Sequence, residues 1–178
     1  MKILVLLGSP HKNGTTATLA ESSCEGAGAA GHSVDKVHIP RLKVAPCMGC
    51  NACQSAKKTC VLKDDMEFLK PKILEADAVI FVSPLYYFGF TAQLKAVIDR
   101  FYSINGELRS IPKKAVLVSA GADCDDWAMD GIVANYETMC RYLHWEDCGK
   151  VLAFGCGTAE SLENTPYAEE AYRLGNTF

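Results

Sequence analysis

The chain has 178 residues, of which 49% are hydrophobic and 22% charged, with a formal net charge of -3 and nine cysteines. That length suits one domain able to bury a core without disulfides. The mildly acidic balance offers no basic surface for counterion release, which argues against nucleic-acid binding, and no apolar run approaches the ~18 residues of a bilayer span.

At the amino terminus, MKILVLLGSPHKNG carries a five-residue apolar run, Ile3 to Leu7, that stops at Gly8. So short a run followed by turn residues reads as a buried first strand rather than an export signal. The cysteines therefore read as reduced thiols or ligands, and the compartment as the cytoplasm. Thr15 to Ala30 forms a small-residue helix closing at Gly31, Ser33 to Ile39 a second strand, and Met66 to Ala76 a helix containing Pro71. A third buried strand covers Ala78 to Ser83, and an amphipathic helix covers Thr91 to Tyr102, with Leu94, Val97, Ile98 and Phe101 on one stripe. A fourth strand spans Ala115 to Ala120, a helix Asp126 to Leu143, a fifth strand Val151 to Phe154 and a last helix Pro166 to Leu174. Strands apolar on both faces and joined largely through helices specify an α/β fold: a doubly wound, five-stranded parallel sheet of the flavodoxin type with helices on both faces. The whole of residues 1–178 reads as one such domain carrying a Cys-rich loop at 44–65.

Ligands of open parallel sheets bind beyond the carboxyl ends of the strands, near the point where strand order reverses. The first such loop, GSPHKNGTT, opens directly into a helix, so its backbone N–H groups, Gly14 and the side chains of Ser9, Asn13, Thr15 and Thr16 can cradle a phosphate without a lysine. It is neither a Walker A loop nor GxGxxG, which disfavours ATP and the usual dinucleotide site. The bland alternative is simple helix capping by Asn13 or Thr15. The loop after the third strand, SPLYYFGF, sets three consecutive aromatics between Pro84 and Gly89, flat apolar surface suited to a flat ring. After the fourth strand, SAGADCDDW brings Ser119 and Gly121 to the same edge. A phosphate loop beside an aromatic loop describes a mononucleotide with a large ring system.

GSPHKNGTT, PLYYFGFTAQLKAVIDR and the cysteine stretch running into VLKDDM resemble the NADPH-dependent FMN reductases of the flavodoxin-like group, and more narrowly the iron-sulfur flavoproteins, over almost the whole chain. The resemblance implies FMN, with its phosphate at Ser9, His11, Asn13, Thr15 and Thr16 and its isoalloxazine ring against Pro84, Leu85, Tyr86, Tyr87, Phe88 and Gly89. It also implies a homodimer or homotetramer in which a neighbouring subunit helps close the flavin pocket. His11 stands where that family often has arginine.

PCMGCNACQSAKKTC places Cys47, Cys50 and Cys53 in CxxCxxC spacing, with Cys60 after six intervening residues. Overlapping CxxC steps bring thiolates round one corner of a cubane, with a fourth from nearby chain. Zinc more often uses two distant CxxC knuckles. The fourth spacing departs from bacterial ferredoxins, and Val61 rather than proline follows it. Two readings stay open, a [4Fe-4S] cluster and a loop of free or redox-active thiols, with zinc third.

Cys24, Cys140 and Cys148 read as small buried hydrophobes, while Cys124 and Cys156 fall on loops at the ligand edge. Asp64 or Asp65 reads as a helix cap, and Asp99-Arg100 as a polar helix face or subunit contact. No Ser-His-Asp or paired-carboxylate arrangement argues for hydrolysis, and no residue is assigned a catalytic role. The expected function is an FMN-dependent oxidoreductase taking electrons from NAD(P)H, or from a reduced carrier such as ferredoxin, to a small acceptor: a quinone, a nitro compound or flavin. The alternatives are a flavodoxin-like electron carrier without its own substrate and a thiol or metal sensor.

Overall fold

The computed structural model describes residues 1–55 and 59–178. Five strands, β1 (Lys2–Leu7), β2 (Ser33–His38), β3 (Ala78–Pro84), β4 (Lys114–Ala120) and β5 (Glu146–Ala153), form one sheet in the order β2-β1-β3-β4-β5, every neighbouring pair parallel. That is the flavodoxin-like order, whose direction reverses between β1 and β3. The helices are α1 (Thr15–Ala29), α2 (Met66–Glu75), α3 (Ala92–Asp99), α4 (Asn105–Ser110), α5 (Asp130–Leu143), α6 (Ala159–Leu162) and α7 (Tyr167–Asn176). No helix among the described residues is long and apolar enough to cross a membrane.

Side-chain alternation divides the core in two. Leu4, Leu6, Val79, Phe81, Ala115 and Leu117 point to one face, where Leu69 and Ile73 of α2, Leu94 and Val97 of α3 and Ile132 and Tyr136 of α5 cover them. Ile3, Val5, Ala78, Ile80, Val116 and Val118 point to the other, under Leu19, Ala20 and Ala27 of α1 and Ala171 of α7. Helices α1 and α7 lie backbone to backbone there: a side chain on Gly26 would run into the Tyr172 carbonyl, and one on Gly175 into that of Ser23. Burial on both faces is why the central strands read as unbroken apolar runs.

Three elements differ from expectation. The helix expected over Thr91 to Tyr102 is α-helical only to Asp99, then tightens into a 3-10 turn, Arg100–Ile104, and continues as α4. The helix expected from Asp126 likewise starts as a 3-10 turn, Asp126–Met129, before α5. Strand β5 begins five residues before the expected Val151, because its polar start, Glu146 to Lys150, lies on the sheet edge where water satisfies one side. A bulge opposite Ala115 and Leu117, with Gly149 at φ 135°, absorbs the irregularity.

Candidate functional site

The carboxyl ends of β1, β3 and β4 converge on one cavity of about 210 Å³, lined by Ser9, His11, Gly14, Thr15, Thr16, Pro84, Leu85, Tyr86, Gly121, Ala122, Cys156 and Gly157. Backbone bonds assemble this rim. Gly8 N–H donates to the Val82 carbonyl at 2.8 Å, Leu85 N–H to Ala120 at 2.8 Å, and Cys156 N–H to Gly121 at 2.7 Å. Residues 9–16 and 84–86, far apart in sequence, therefore face each other across a single opening.

On the side of residues 9–16, Gly14 occupies the N-cap of α1, and no side chain caps that helix. Capping by Asn13 or Thr15 is thus not what the residues do: Asn13 is exposed outside the cavity lining, and the buried Thr15 Oγ1 has no hydrogen-bond partner among the described residues. An uncapped helix start with no acidic residue in its first turn leaves N–H groups and a positive dipole end for an anion. Ser9 fixes the turn, its Oγ accepting from His11 N–H at 3.1 Å and donating to the His11 carbonyl at 3.2 Å. From the end of β2, His38 Nε2–H donates to the Ser9 carbonyl at 2.6 Å, a support that sequence spacing alone did not reveal.

The aromatic loop is a two-residue turn closed by Tyr86 N–H to Gly89 O at 3.1 Å and Gly89 N–H to Tyr86 O at 3.2 Å. Tyr87 and Phe88 occupy its centre with φ of 47° and 63°, the left-handed conformation of a type I′ turn that side chains adopt at a cost. Tyr87 is 100% exposed, and Phe88 packs on Trp127 with centroids 5.4 Å apart. Both residues, with Leu85, Ala122 and Asp123, line a second opening beside the first. Ser119 stands apart from the other expected residues, fully buried within β4 opposite Ser83 with its hydroxyl unpartnered among the described residues, whereas Gly121 does reach the cavity. Cys156 lines the cavity as well; burial, with Cys124 close by, pushes its thiol up. Cys140 is buried, but Cys24 and Cys148 are only partly so.

Cys47, Cys50, Cys53 and Cys60 face one separate pocket, together with Met48, Asn51, Val61, Leu62, Arg100, Tyr102 and Ser103. Among the described residues no three His, Cys, Asp or Glu side chains are drawn together tightly enough to hold a metal ion. The stems of the loop are zipped shut: Lys43 N–H donates to Asp65 Oδ2 at 2.7 Å, Ala45 N–H to Asp64 Oδ2 at 3.0 Å, and Asp65 N–H to the Lys43 carbonyl at 3.1 Å. Its crown leans on the Arg100–Ile104 turn through Gln54 Nε2–H to the Tyr102 carbonyl at 2.9 Å and Tyr102 O–H to Asn51 Oδ1 at 3.1 Å.

Arg100 corrects the expectation of a polar helix face. It is 1% exposed and donates from Nη1 to Asp64 Oδ2 at 2.7 Å and to the Ala45 carbonyl at 2.9 Å, and from Nη2 to Asp64 Oδ1 at 3.2 Å. Asp64 is correspondingly more than a cap: Oδ1 does accept from Met66 N–H at 3.1 Å, but both oxygens are committed to the guanidinium. Burial opposes the charge on each, yet Arg100 and the Ala45 and Met66 N–H groups hold the Asp64 carboxyl below its ordinary range. Against the same desolvation, Asp64 and then Cys60 hold the guanidinium above its own. Asp99, by contrast, stays at the surface, paired with Lys95 at 2.5 Å.

The sequence pattern of the NADPH-dependent FMN reductases matches residues 1–145. An iron-sulfur flavoprotein of Archaeoglobus fulgidus is 40% identical over 123 residues, covering 68% of this chain and 56% of that protein. One from Methanocaldococcus jannaschii is 34% identical over 122 residues, covering 67% and 63%. The matches thus span only about half to two-thirds of those relatives' length. An azoreductase from Bacillus anthracis superposes with a TM-score of 0.79 at 18% identity over 100% of both chains, a likeness of fold.

Proposed function

The chain belongs to the NADPH-dependent FMN reductase family, and we propose that it is an FMN-dependent oxidoreductase, passing electrons from NAD(P)H or a reduced carrier such as ferredoxin to a quinone, nitro compound or flavin. The observation that carries this reading is the convergence of residues 9–16 and 84–86 on one cavity whose helix end is uncapped and whose Thr15 hydroxyl lacks a partner. Ser9, His11, Gly14, Thr15 and Thr16 would receive the phosphate, with Pro84 to Gly89 and Gly121 against the ring. Ser119 would support the strand end from inside. When bound, the flavin supplies the hydride and single-electron chemistry, which the surrounding groups orient and tune. The chain itself offers aromatic surface, backbone polar groups at the ring edge and the Tyr86 and Tyr87 hydroxyls as proton donors. The exposed aromatics at the mouth suit a homodimer or homotetramer in which a neighbouring subunit covers the opening, with residues 1–178 acting as one flavodoxin-like domain.

Within the same proposal, Cys47, Cys50, Cys53 and Cys60 hold a [4Fe-4S] cluster. Four thiols facing one pocket supply the ligand chemistry. Overlapping CxxC steps suit a cube, which spreads its ligands over separate corners, better than zinc, which more often takes two distant CxxC knuckles. Anaerobic purification with assays for FMN, iron, sulfide and zinc tests both parts. One FMN, and iron and sulfide at about four each as a cubane requires, are expected, with the metal lost in Cys50→Ser. A colourless protein unable to take up FMN would overturn the reading, and flavin uptake without NAD(P)H turnover would assign an electron carrier instead.

A further inference from the structure

Arg100 is among the largest fully buried side chains of the described residues, and it lines the pocket of the four cysteines. A guanidinium carries five N–H donors. Three contacts to Asp64 and Ala45 use three of the four terminal N–H groups, while Nε is buried with no hydrogen-bond partner among the described residues. Stability does not explain the arrangement. A buried ion pair often does no better than packed apolar side chains, and an unmet buried donor costs about 1–3 kcal/mol. The pocket that Arg100 lines is also lined by the four thiols of Cys47, Cys50, Cys53 and Cys60.

Resting on the cluster reading above, we propose that Arg100 is a positioning residue for the four-cysteine site: its Nε–H donates to a sulfur there and its fixed charge eases the addition of an electron. Hydrogen bonds to sulfur and net charge are the levers by which a protein sets an iron-sulfur potential. Asp64 holds the guanidinium in place and moderates its charge, and both residues also tie the loop stems at Ala45. Helix α3 links this pocket to the proposed flavin site along the chain. Thr91, which caps that helix, touches the first loop at Gly8, and Arg100 follows its last residue, a separation of roughly 13 Å at 1.5 Å per residue.

The test is a dithionite titration of the anaerobically reconstituted protein, followed by electron paramagnetic resonance, in wild type, Arg100→Lys, Arg100→Gln and Asp64→Asn, with iron and sulfide measured in each. Arg100→Gln should make one-electron reduction about tenfold less favourable, a fall of ~59 mV, with Arg100→Lys closer to wild type. Asp64→Asn, which leaves the positive charge uncompensated, should shift the potential upward. If Arg100→Gln does not fold, the opposite shift in Asp64→Asn decides alone. A cluster whose potential is the same in every variant that folds overturns the role of Arg100 and leaves the proposed function standing. A wild-type protein without iron and sulfide above background overturns the cluster and this inference together, while leaving FMN binding intact.

Discussion

Thr91 donates its hydroxyl to the carbonyl of Gly8 at 2.9 Å across 83 positions of sequence, tying the loop that follows β1 to the start of α3. The same oxygen accepts from Leu94 N–H at 3.4 Å, so one side chain both caps the helix and fastens the two halves of the cavity rim. The approach is so close that a Cβ on Gly8 would sit 2.8 Å from Thr91 Oγ1 and 2.9 Å from Leu94 Cβ. Leu94 Cβ is fixed to the backbone of α3, so that contact cannot relax without moving the helix.

Gly8→Ala should therefore cost about 1–3 kcal/mol, as overpacking usually does, and weaken FMN uptake by displacing the loop after β1. Thr91→Val, which keeps the shape and loses both hydrogen bonds, should cost about 1–2 kcal/mol. Urea denaturation and FMN titration of the two variants check this. Full stability in Thr91→Val would show that the rim is held by its backbone bonds alone.

Much of this arrangement was legible in the chain itself, because the central strands are buried on both faces and announce themselves as apolar runs ending in small, polar loops. The strand-end rule then placed Ser9, Thr16, Pro84 and Tyr86 at one edge, where they do meet. Pairings across space left no such trace. Arg100 sits at a helical position next to an acidic residue, and only the packed loop shows that its partner is Asp64, 36 positions away, rather than Asp99. Strand β5 hid its start for a different reason: an edge strand can open with Glu146, Asp147 and Lys150, which periodicity reads as loop.

The Asp64 carboxyl gives a pH signature. Its ionisation is favoured in the folded protein, so the unfolded chain binds more protons as the solution becomes acidic enough to titrate it. The stabilisation is complete above the ordinary aspartate value of about 3.9 and is lost as pH falls through the lower folded value. Asp147 behaves likewise: burial opposes its charge, but Lys150, Tyr136 and the Gly149 N–H hold its carboxyl down. Urea midpoints should thus fall steeply below about pH 4, with a shallower slope in Asp64→Asn and in Asp147→Asn. Equal slopes in wild type and both variants would contradict the assignment. At neutral pH, removing the other partner by Arg100→Met leaves Asp64 largely buried and uncompensated, and should cost about 3 kcal/mol.

Tyr87 and Phe88 hold a left-handed turn that asparagine and glycine adopt far more readily. Left-handed backbone costs a residue with a side chain about 1–2 kcal/mol, and a wholly exposed Tyr87 recovers little of that by packing. The double substitution Tyr87→Asn, Phe88→Gly should raise the thermal midpoint while lowering turnover, since it removes the aromatic surface at the second opening and the Phe88–Trp127 contact. Calorimetry together with a steady-state NAD(P)H assay reads both effects. A rise in stability with unchanged turnover would dissociate the strained turn from the reaction.

Thr15 provides the sharpest separation between a binding group and a structural one. Its hydroxyl is buried against the start of α1 without a partner among the described residues, so in the free protein it satisfies nothing. Thr15→Val preserves shape and β-branching while removing a polar atom whose desolvation is unrewarded, and should leave free-protein stability unchanged or raise it by up to about 1 kcal/mol. Toward a phosphate at the helix end the same hydroxyl becomes a donor to a charged acceptor, a bond worth about 1.5–3 kcal/mol. FMN affinity should then fall tenfold or more in Thr15→Val, while riboflavin, which lacks the phosphate, binds wild type and variant alike. Equal weakening toward both ligands would mean that Thr15 shapes the ring pocket instead, and a loss of stability in the free protein would mean that the hydroxyl had a structural partner after all.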